Sequence, residues 1–215
     1  MKTPLITVLV PTYNNDKYLG RCIRSLLSQT LDRKLFNIMV IDDSSTDSTQ
    51  SILDSFEKEI IKFKNKKRIG LPGSLNKGIK KITSQYFIRV DSDDYVNESF
   101  LEYLLKFTKY NKYMDAVAVD YYLVDNNEKI IERANCLDRP IGCGVIFQTD
   151  HIIKLGLYNK DFLLHEDKEL MNRFLKKYNL YRLELPLYRY RQHDKNITKN
   201  KNNDKLFKKM LLEKL

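Results

Sequence analysis

The chain has 215 residues, of which 42% are hydrophobic and 31% are charged, and its formal net charge is +10. This composition is typical of a globular protein with one core, and the basic balance favours polyanionic ligands such as nucleotides, nucleic acid or anionic lipid headgroups. The three cysteines lack C-x-x-C spacing and nearby histidines, which argues against a zinc site or a disulfide framework. The same cysteine pattern fits a reducing cytoplasm, and no apolar run is long enough to cross a membrane.

Strand, polar turn and helix alternate twice in residues 5–60. Leu5 to Val10 is an apolar run rich in β-branched residues, which predicts a strand buried on both faces of a parallel sheet. Asp16 to Gln29 follows with apolar residues three and four positions apart, as in an amphipathic helix. A second strand, Phe36 to Ile41, precedes a second helical face at Ile52 to Ile60. The repeated unit predicts a doubly wound α/β sheet.

The rest of the chain continues the alternation. The further predicted elements are a solvated connection (Lys62 to Arg68), a turn (Gly70 to Gly73), a helix (Ser74 to Thr83), a strand (Tyr86 to Val90), a helix (Asn97 to Tyr113), a strand (Asp115 to Val119), a hairpin turn (Asp125 to Glu128), a strand (Gly142 to Phe147) and a helix from near Asp167. The hairpin turn indicates a mixed sheet after Asp115. We assign residues 1–199 to one domain and residues 200–215 to a basic amphipathic tail.

Three carboxylates follow one apolar strand at Asp91-Ser92-Asp93-Asp94. Like charges at this spacing repel one another, so we expect a compensating cation, and carboxylate oxygens suit a Mg²⁺ or Mn²⁺ ion that holds a diphosphate. The alternative is a strand-ending turn in which Asp and Ser cap the next helix.

Ligands of parallel α/β sheets bind beyond the carboxyl ends of the strands. The polar residues in those positions are Thr12, Tyr13, Asn14, Asp42, Asp43, Asp91, Ser92, Asp93 and Asp94. Helix capping explains each group separately, and Ser44-x-x-Asp47 has the pattern of a capping box. Their joint position at one edge favours a ligand site.

Five ordered segments resemble the motifs of family 2 glycosyltransferases with the GT-A fold. They are Val8 to Asn14, Val40 to Asp47, Asn76 to Ile79, Asp91 to Asp94, and His165 to Asp167. The resemblance covers about Leu5 to Thr198. It implies a three-layer αβα sandwich around a central mixed, mostly parallel sheet. It also implies an inverting enzyme that uses Mn²⁺ or Mg²⁺ and transfers a sugar from a nucleotide-diphosphate sugar.

The resemblance implies specific roles for the strand-end residues. Tyr13 would stack on the nucleotide base, and Asp43 would bind the N3 edge of that base. Because a carboxylate only accepts hydrogen bonds, it matches the N3–H of uracil or thymine but not the N3 acceptor of cytosine, and we expect a UDP-sugar. The implied nucleotide-binding residues are Pro11, Thr12, Tyr13, Asn14, Asp42, Asp43, Asn76, Asp91, Ser92 and Arg191, and the implied metal ligands are Asp93, Asp91 and His193. The segment before Asn76 and the serine at position 44 depart from the family pattern.

The acidic pair Glu166-Asp167 resembles the family's catalytic acids. The resemblance implies that Asp167 is the general base and that Glu166 supports it. The alternative is that both acids stabilise the positive N-terminus of the helix that follows.

The implied partners are a nucleotide-sugar donor and a glycan, lipid-linked sugar or protein acceptor, without nucleic acid, in bacterial-type cell-surface polysaccharide or glycoconjugate synthesis. The tail from Leu206 to Leu215 has the pattern of a peripheral membrane contact, with packing onto the domain as the alternative. A nucleotidyltransferase would need a Gly-rich loop with a lysine, which Pro11 to Asn15 is not. A non-catalytic basic module that binds nucleic acid or membrane would need clustered charge with interleaved aromatics, but Lys106 to Tyr113 is better explained as a solvated helix face.

Overall fold

The computed structural model describes residues 3–111 and 114–193. Within these residues nine strands form one sheet. The strands are β1 (Ile6–Thr12), β2 (Phe36–Asp42), β3 (Ile61–Lys64), β4 (Tyr86–Arg89), β5 (Tyr95–Val96), β6 (Ala116–Val124), β7 (Ile130–Ala134), β8 (Val145–Gln148) and β9 (Leu180–Arg191). The helices are α1 (Asp16–Leu27), α2 (Thr49–Ser55), α3 (Leu71–Ile79), α4 (Phe100–Tyr110), α5 (Thr149–Lys154) and α6 (Glu166–Leu175).

The sheet is mixed and mostly parallel, as predicted. Its strand order is β3-β2-β1-β4-β8-β6-β9-β5, and β7 pairs with β6 outside this path. The strands β1, β2, β3, β4, β6 and β9 run in one direction, whereas β5, β7 and β8 run in the other. The predicted hairpin is present, since β6 and β7 are antiparallel neighbours. The carboxyl ends of β1, β2 and β4 therefore lie side by side at one edge.

Helices cover both faces of the sheet, which confirms the αβα sandwich. Successive residues of β1 point in opposite directions: Val8 and Val10 pack with Ile23 of α1, and Leu9 packs with Leu75 of α3. The core that contains Val8 and Val10 also includes side chains of α2 and α4. The core that contains Leu9, on the other face of the sheet, includes side chains of α5 and α6. This double burial is why β1 and β2 are apolar along nearly their whole length.

Two of the predicted connections are wrong. Ile61–Lys64 is the edge strand β3, parallel to β2, and not part of a solvated connection. Its alternation of Ile and Phe with Lys suits an edge strand, because Lys at an edge discourages pairing with other chains. The predicted turn at Gly70 to Gly73 ends at Gly70, since α3 begins at Leu71. Pro72 is tolerated there because the first helical turn needs no backbone donor.

Three elements, β5, α5 and β9, have no counterpart among the predicted elements. The longest of them, β9, has twelve residues and pairs in parallel with β6. Pro186 lies within it at an irregularity in the register opposite Asp120. A proline is tolerated at such a bulge, because no ladder hydrogen bond is needed from that position.

The predicted tail at residues 200–215 lies outside the described residues, as do positions 194–199. Its contact with a membrane or with the domain therefore stays a prediction. Over residues 3–111 and 114–193, every helix falls short of the length and apolar character that a membrane span requires.

A buried carboxylate fixes the irregular part of the β6–β9 pair. Asp120 is fully buried, and its Oδ2 accepts hydrogen bonds at 2.7 Å from Nη2 of both Arg133 and Arg182. Arg133 also donates to the carbonyl of Glu184 on β9, at 2.8 Å. Burial alone would raise the pKa of Asp120, but the hydrogen bonds from Arg182 and Arg133 outweigh it and lower the pKa to about 2.

We expect this cluster to make folding sensitive to acid. A carboxyl whose pKa is lowered on folding stabilises the folded state above the pKa of the unfolded chain, near 3.8, and loses that contribution as pH falls towards 2. The free energy of unfolding, measured with urea, should exceed that of Asp120→Asn by an amount that shrinks by about 2 kcal/mol between pH 4 and pH 2. Glu132→Gln, which breaks the exposed pair with Arg139, should change it by less than about 1 kcal/mol at any pH. A difference between wild type and Asp120→Asn that stays constant with pH would contradict this prediction.

Candidate active site

The turns after β1 and β2 are hydrogen-bonded to each other. The carbonyl of Thr12 accepts from the amide of Asp43 at 2.9 Å, and the Asn14 side chain accepts from the amide of Thr46 at 2.8 Å. Ser45 Oγ accepts from the amide of Asn14 at 2.9 Å. Asn14 and Ser44 have φ values of 47° and 70°, a conformation that asparagine tolerates and that glycine adopts most easily. These hydrogen bonds join the turns after β1 and β2 into one unit, which we call the rim.

The adjacent acids Asp42 and Asp43 are both buried but have different contacts. Asp42 Oδ1 accepts from the amide of Ser45 at 2.9 Å and closes its own turn. Asp43 reaches a distant segment: its Oδ1 accepts from Asn65 Nδ2 at 2.7 Å and from the amide of Ile69 at 2.9 Å, and its Oδ2 accepts from the amide of Gly70 at 2.8 Å. Asp43 therefore holds residues 65–70 beside the rim.

This segment carries an arginine that the sequence analysis did not single out. The guanidinium carbon of Arg68 lies 4.0 Å from the centroid of the Tyr13 ring, and 37% of Tyr13 is exposed. An aromatic face with a stacked guanidinium is a surface on which planar groups bind. The neighbouring predicted residues Pro11 and Thr12 are buried in β1, and within the described residues Thr12 Oγ1 is buried without a hydrogen bond.

The turn after β4 joins the same edge. Ser92 Oγ accepts from Asn15 Nδ2 at 2.7 Å, which ties this turn to the one after β1. Asp93 is partly exposed, and its Oδ2 lies 2.8 Å from Nε2 of His193, beyond the end of β9. The structure therefore brings together two of the three predicted metal ligands.

Asp94 is buried below this turn. Its Oδ2 accepts from the hydroxyl of Tyr188 at 2.7 Å, and its Oδ1 accepts from the amide of Arg191 at 2.8 Å. Burial raises the pKa of Asp94 well above its usual value, and the charges of Asp93 and Asp91 raise it further. Asp94, Asp91 and Cys143 place ligand atoms within 4.8 Å of one another, but Asp94 and Cys143 are buried. The hydrogen bonds of Asp94 hold β9 against the turn and so place His193 next to Asp93.

The third strand-end acid, Asp91, is paired with an arginine of the same strand. Arg89 is 5% exposed and holds Asp91 with two hydrogen bonds, Nε to Oδ1 at 2.6 Å and Nη2 to Oδ2 at 3.0 Å. Its Nη1 donates to Glu166 Oε1 at 2.8 Å. We call Arg89, Asp91 and Glu166 the Arg89 cluster. The available signal in the sequence was a single charged residue inside the apolar strand Tyr86 to Val90.

Glu166 and Asp167 open α6 and differ in their surroundings. Burial raises the pKa of Glu166 above its usual value, Arg89 opposes this effect, and Asp167 adds to it. Across the described residues, the carboxylate of Asp167 makes neither a hydrogen bond nor an ion pair. Asp167 is therefore the acid of the pair that is available to a ligand.

Two predicted nucleotide-binding residues have framework contacts. The Asn76 side chain is buried, donates to the carbonyl of Tyr158 at 2.8 Å and accepts from its amide at 2.9 Å. Arg191 is also buried and donates to the carbonyl of Asp93 at 2.9 Å and to Glu128 Oε1 at 3.0 Å. These contacts connect α3 and β9 to neighbouring loops. A direct contact of either side chain with a nucleotide stays a prediction.

The donor atoms at the edge fit a divalent cation. A carboxylate oxygen and an imidazole nitrogen are ligands of Mn²⁺, and Asp93 and His193 offer one of each on adjoining elements. Asp91 is the less available ligand, because both of its oxygens are held by Arg89.

Glycine at position 142 is required by the close approach of two charged side chains. A Cβ there would lie 2.7 Å from Cβ of Asp167 and 2.8 Å from Nη1 of Arg89. We expect Gly142→Ala to lower the free energy of unfolding by about 1–3 kcal/mol, because the buried Arg89 and the half-buried Asp167 must move. Gly20→Ala is the control: it meets only the flexible Arg24 side chain and should be neutral or stabilise α1. Equal unfolding free energies for wild type and Gly142→Ala in urea titrations would show that the site tolerates a side chain here.

Comparisons with known sequences agree with this geometry. A sequence model described as "Glycosyl transferase family 2" matches residues 7–183. An uncharacterized glycosyltransferase of Haemophilus influenzae is 33% identical over 167 residues, which is 76% of this chain and 46% of that protein. TarS of Staphylococcus aureus, named a poly(ribitol-phosphate) beta-N-acetylglucosaminyltransferase, is 34% identical over 99 residues, 45% of this chain and 17% of that protein. The chain spans less than half the length of these two relatives.

Solved structures show the same fold. The structure of TarS residues 1–349 in complex with UDP-GlcNAc matches with a TM-score of 0.77 and 21% identity, covering 91% of this chain and 60% of that chain. The mannosyltransferase PcManGT from Pyrobaculum calidifontis, in complex with GDP-Man and Mn²⁺, matches with a TM-score of 0.78 and 16% identity, covering 99% and 64%. The fold is GT-A, and with the match over residues 7–183 the chain belongs to glycosyltransferase family 2.

Proposed function

We propose that this protein transfers a sugar from a UDP-sugar to an acceptor hydroxyl with inversion at the anomeric carbon. The observation that carries the proposal is the convergence of Tyr13, Asp43 and Asp93 at the ends of three adjacent parallel strands. An aromatic face, a hydrogen-bond acceptor and a metal ligand are the three features that a base, its edge and a diphosphate require.

The choice of uridine rests on Asp43. Each carboxylate oxygen accepts about two hydrogen bonds. Oδ1 already takes two from Asn65 and Ile69, whereas Oδ2 takes one from Gly70. The remaining position on Oδ2 matches the N3–H donor of uracil, and cytosine has an acceptor at that atom. The UDP-GlcNAc complex of the structurally similar TarS supports this choice.

We propose a metal-dependent reaction, with Asp93 and His193 holding Mn²⁺ or Mg²⁺. The Mn²⁺ complex of PcManGT, which has the same fold, supports the use of a divalent metal. When bound, the cation neutralises negative charge on the leaving diphosphate. The chain's own contribution is to hold its ligands in place through the contacts of Asp94 with Tyr188 and Arg191.

Asp167 is the proposed general base. The acceptor oxygen forms a bond to the anomeric carbon while the bond from that carbon to the diphosphate oxygen breaks, and an Asp167 oxygen takes the hydroxyl proton. Asp167 suits this role because, across the described residues, its carboxylate makes neither a hydrogen bond nor an ion pair. Glu166 itself is held by Arg89 and so supports the base without replacing it.

The proposed acceptor is a glycan, a lipid-linked sugar or a protein, in the synthesis of bacterial-type cell-surface polysaccharide or glycoconjugate. The poly(ribitol-phosphate) activity in the name of TarS supports a polymer acceptor. A cytoplasmic location and peripheral membrane contact through the tail stay predictions.

The experiment that tests the function is a donor panel. UDP-, GDP- and CDP-sugars are incubated with Mn²⁺ and candidate acceptors, and release of the nucleoside diphosphate is measured. We expect release from UDP-sugars in preference to CDP-sugars, for the reason given for Asp43, and the GDP-sugars test whether the site also accepts a purine. Transfer from a CDP-sugar alone would contradict the uridine assignment, and transfer of the nucleoside monophosphate with release of the sugar 1-phosphate would indicate a nucleotidyltransferase.

The same assay tests the base. Asp167→Asn is nearly isosteric, so it should keep donor affinity and thermal stability while lowering turnover by about 10²-fold or more. Asp161→Asn, on the loop before α6, is the control and should retain wild-type turnover. If Asp167→Asn turns over at the wild-type rate, the base lies elsewhere. If it loses activity only through unfolding, Asp167 is structural.

A binding measurement tests the metal ligands separately from turnover. We expect Mn²⁺ to tighten UDP binding to the wild type, as measured by calorimetry, because a cation held by Asp93 and His193 would neutralise charge on the diphosphate. Asp93→Ala should remove this tightening, and Asp54→Ala, at an exposed ion pair on α2, should not. Equal Mn²⁺-dependent tightening in the wild type and Asp93→Ala would refute the assignment.

A further inference from the structure

Arg89 is a buried cation whose contacts reach two separate parts of the site. Its side chain is 6% exposed, and it binds Asp91 in its own turn and Glu166 at the start of α6. Its Nε and Nη2 donate to the two oxygens of Asp91, and its Nη1 donates to Oε1 of Glu166. These two acids are 75 positions apart in the sequence, and the arginine is the group that joins them.

The contact geometry requires arginine in particular. The planar guanidinium offers a rigid fork of donors, so that it can hold one carboxylate with two hydrogen bonds and a second carboxylate with a third. A lysine ammonium keeps the charge but cannot reproduce the fork. Neutral substitution would leave two largely buried carboxylates without a cation, which is strongly unfavourable.

The Arg89 cluster connects the turn that carries the proposed metal ligand with the start of α6, which carries the proposed base. Asp91 is two positions before the proposed metal ligand Asp93, and Glu166 is one position before the proposed base Asp167. A side chain at position 142 would collide with both Asp167 and Arg89, so the backbone there packs directly against the pair. A shift of Arg89 is therefore transmitted to both turns.

We propose that Arg89 is a positioning residue for glycosyl transfer, which sets the separation between the donor-binding turn at Asp93 and the base Asp167 through its simultaneous contacts with Asp91 and Glu166. This inference rests on the proposed function. Arg89 acts through its two acidic neighbours, since its guanidinium is buried and already hydrogen-bonded to them. Displacement of a reacting group by about 1 Å is enough to lower turnover by about 10²-fold.

The test is a double-mutant cycle with Arg89→Lys and Glu166→Gln in the full chain. The kcat, the KM for the UDP-sugar and the KM for the acceptor are measured beside thermal stability. We expect Arg89→Lys to lower kcat by about tenfold or more while the acceptor KM changes much less. Because both substitutions break the same contact, the loss in the double variant should be smaller than the product of the single losses by about fivefold or more.

The matched control is Arg182→Lys, which breaks a two-bond contact with the buried Asp120 outside the site. It should lower stability without changing kcat. Single losses in kcat that simply multiply in the double variant, or an Arg89→Lys protein with wild-type kcat, would overturn the proposal. If Arg89→Lys does not fold, Glu166→Gln decides alone: an unchanged kcat overturns the proposal, and a lowered kcat at wild-type stability supports it. A wild type that neither binds UDP nor transfers sugar refutes the proposed function, and the inference then fails with it.

Discussion

Repulsion among acidic side chains at the end of β4 is the constraint on which the site depends. Four carboxyl groups lie close together there, and each has a partner from the chain. The pairings are Asp91 and Glu166 with Arg89, Asp93 with His193, and Asp94 with Tyr188. Two of these partners come from β9 or the residues after it, so the acids are all paired only when β9 is in place beside β6. The pairing of these acids therefore makes formation of the site depend on the placement of β9.

The parts that could be predicted from the sequence are those with a local signal. Apolar runs and three- or four-residue spacing identify β1, α1 and β2, and the rule that ligands bind at strand ends then collects the polar residues that follow those strands. The resemblance to the family singles out Tyr13, Asp43 and Asp93 among them. The missed strand β9 lacks such a signal, because a proline interrupts it at a bulge. The bulge is stabilised by Asp120, Arg133 and Arg182. Those three residues meet only through tertiary packing.

The same limit applies to individual roles in the site. The position of Asp43 after a strand is visible in the sequence, but its hold on residues 65–70 is not, and nor is the stacking of Arg68 on Tyr13. The resemblance to the family assigned Asn76 and Arg191 to the nucleotide, whereas the structure gives both side chains framework hydrogen bonds. A motif identifies which residues belong to a region, and only the contacts show which of them face a ligand.

The late position of β9 in the chain determines when, during synthesis, the acids at the end of β4 acquire their partners. Its parallel partner β6 begins 64 residues earlier, at Ala116 opposite Leu180. On a ribosome that adds about 5–20 residues per second, β1 to β4 emerge seconds before the residues that pair with Asp93 and Asp94. In that interval the nascent chain presents an acidic strand end whose partners have not been synthesised. The pairing of these acids therefore waits for translation of Tyr188 to His193, so this edge reaches its final structure only when the last described strand has been made.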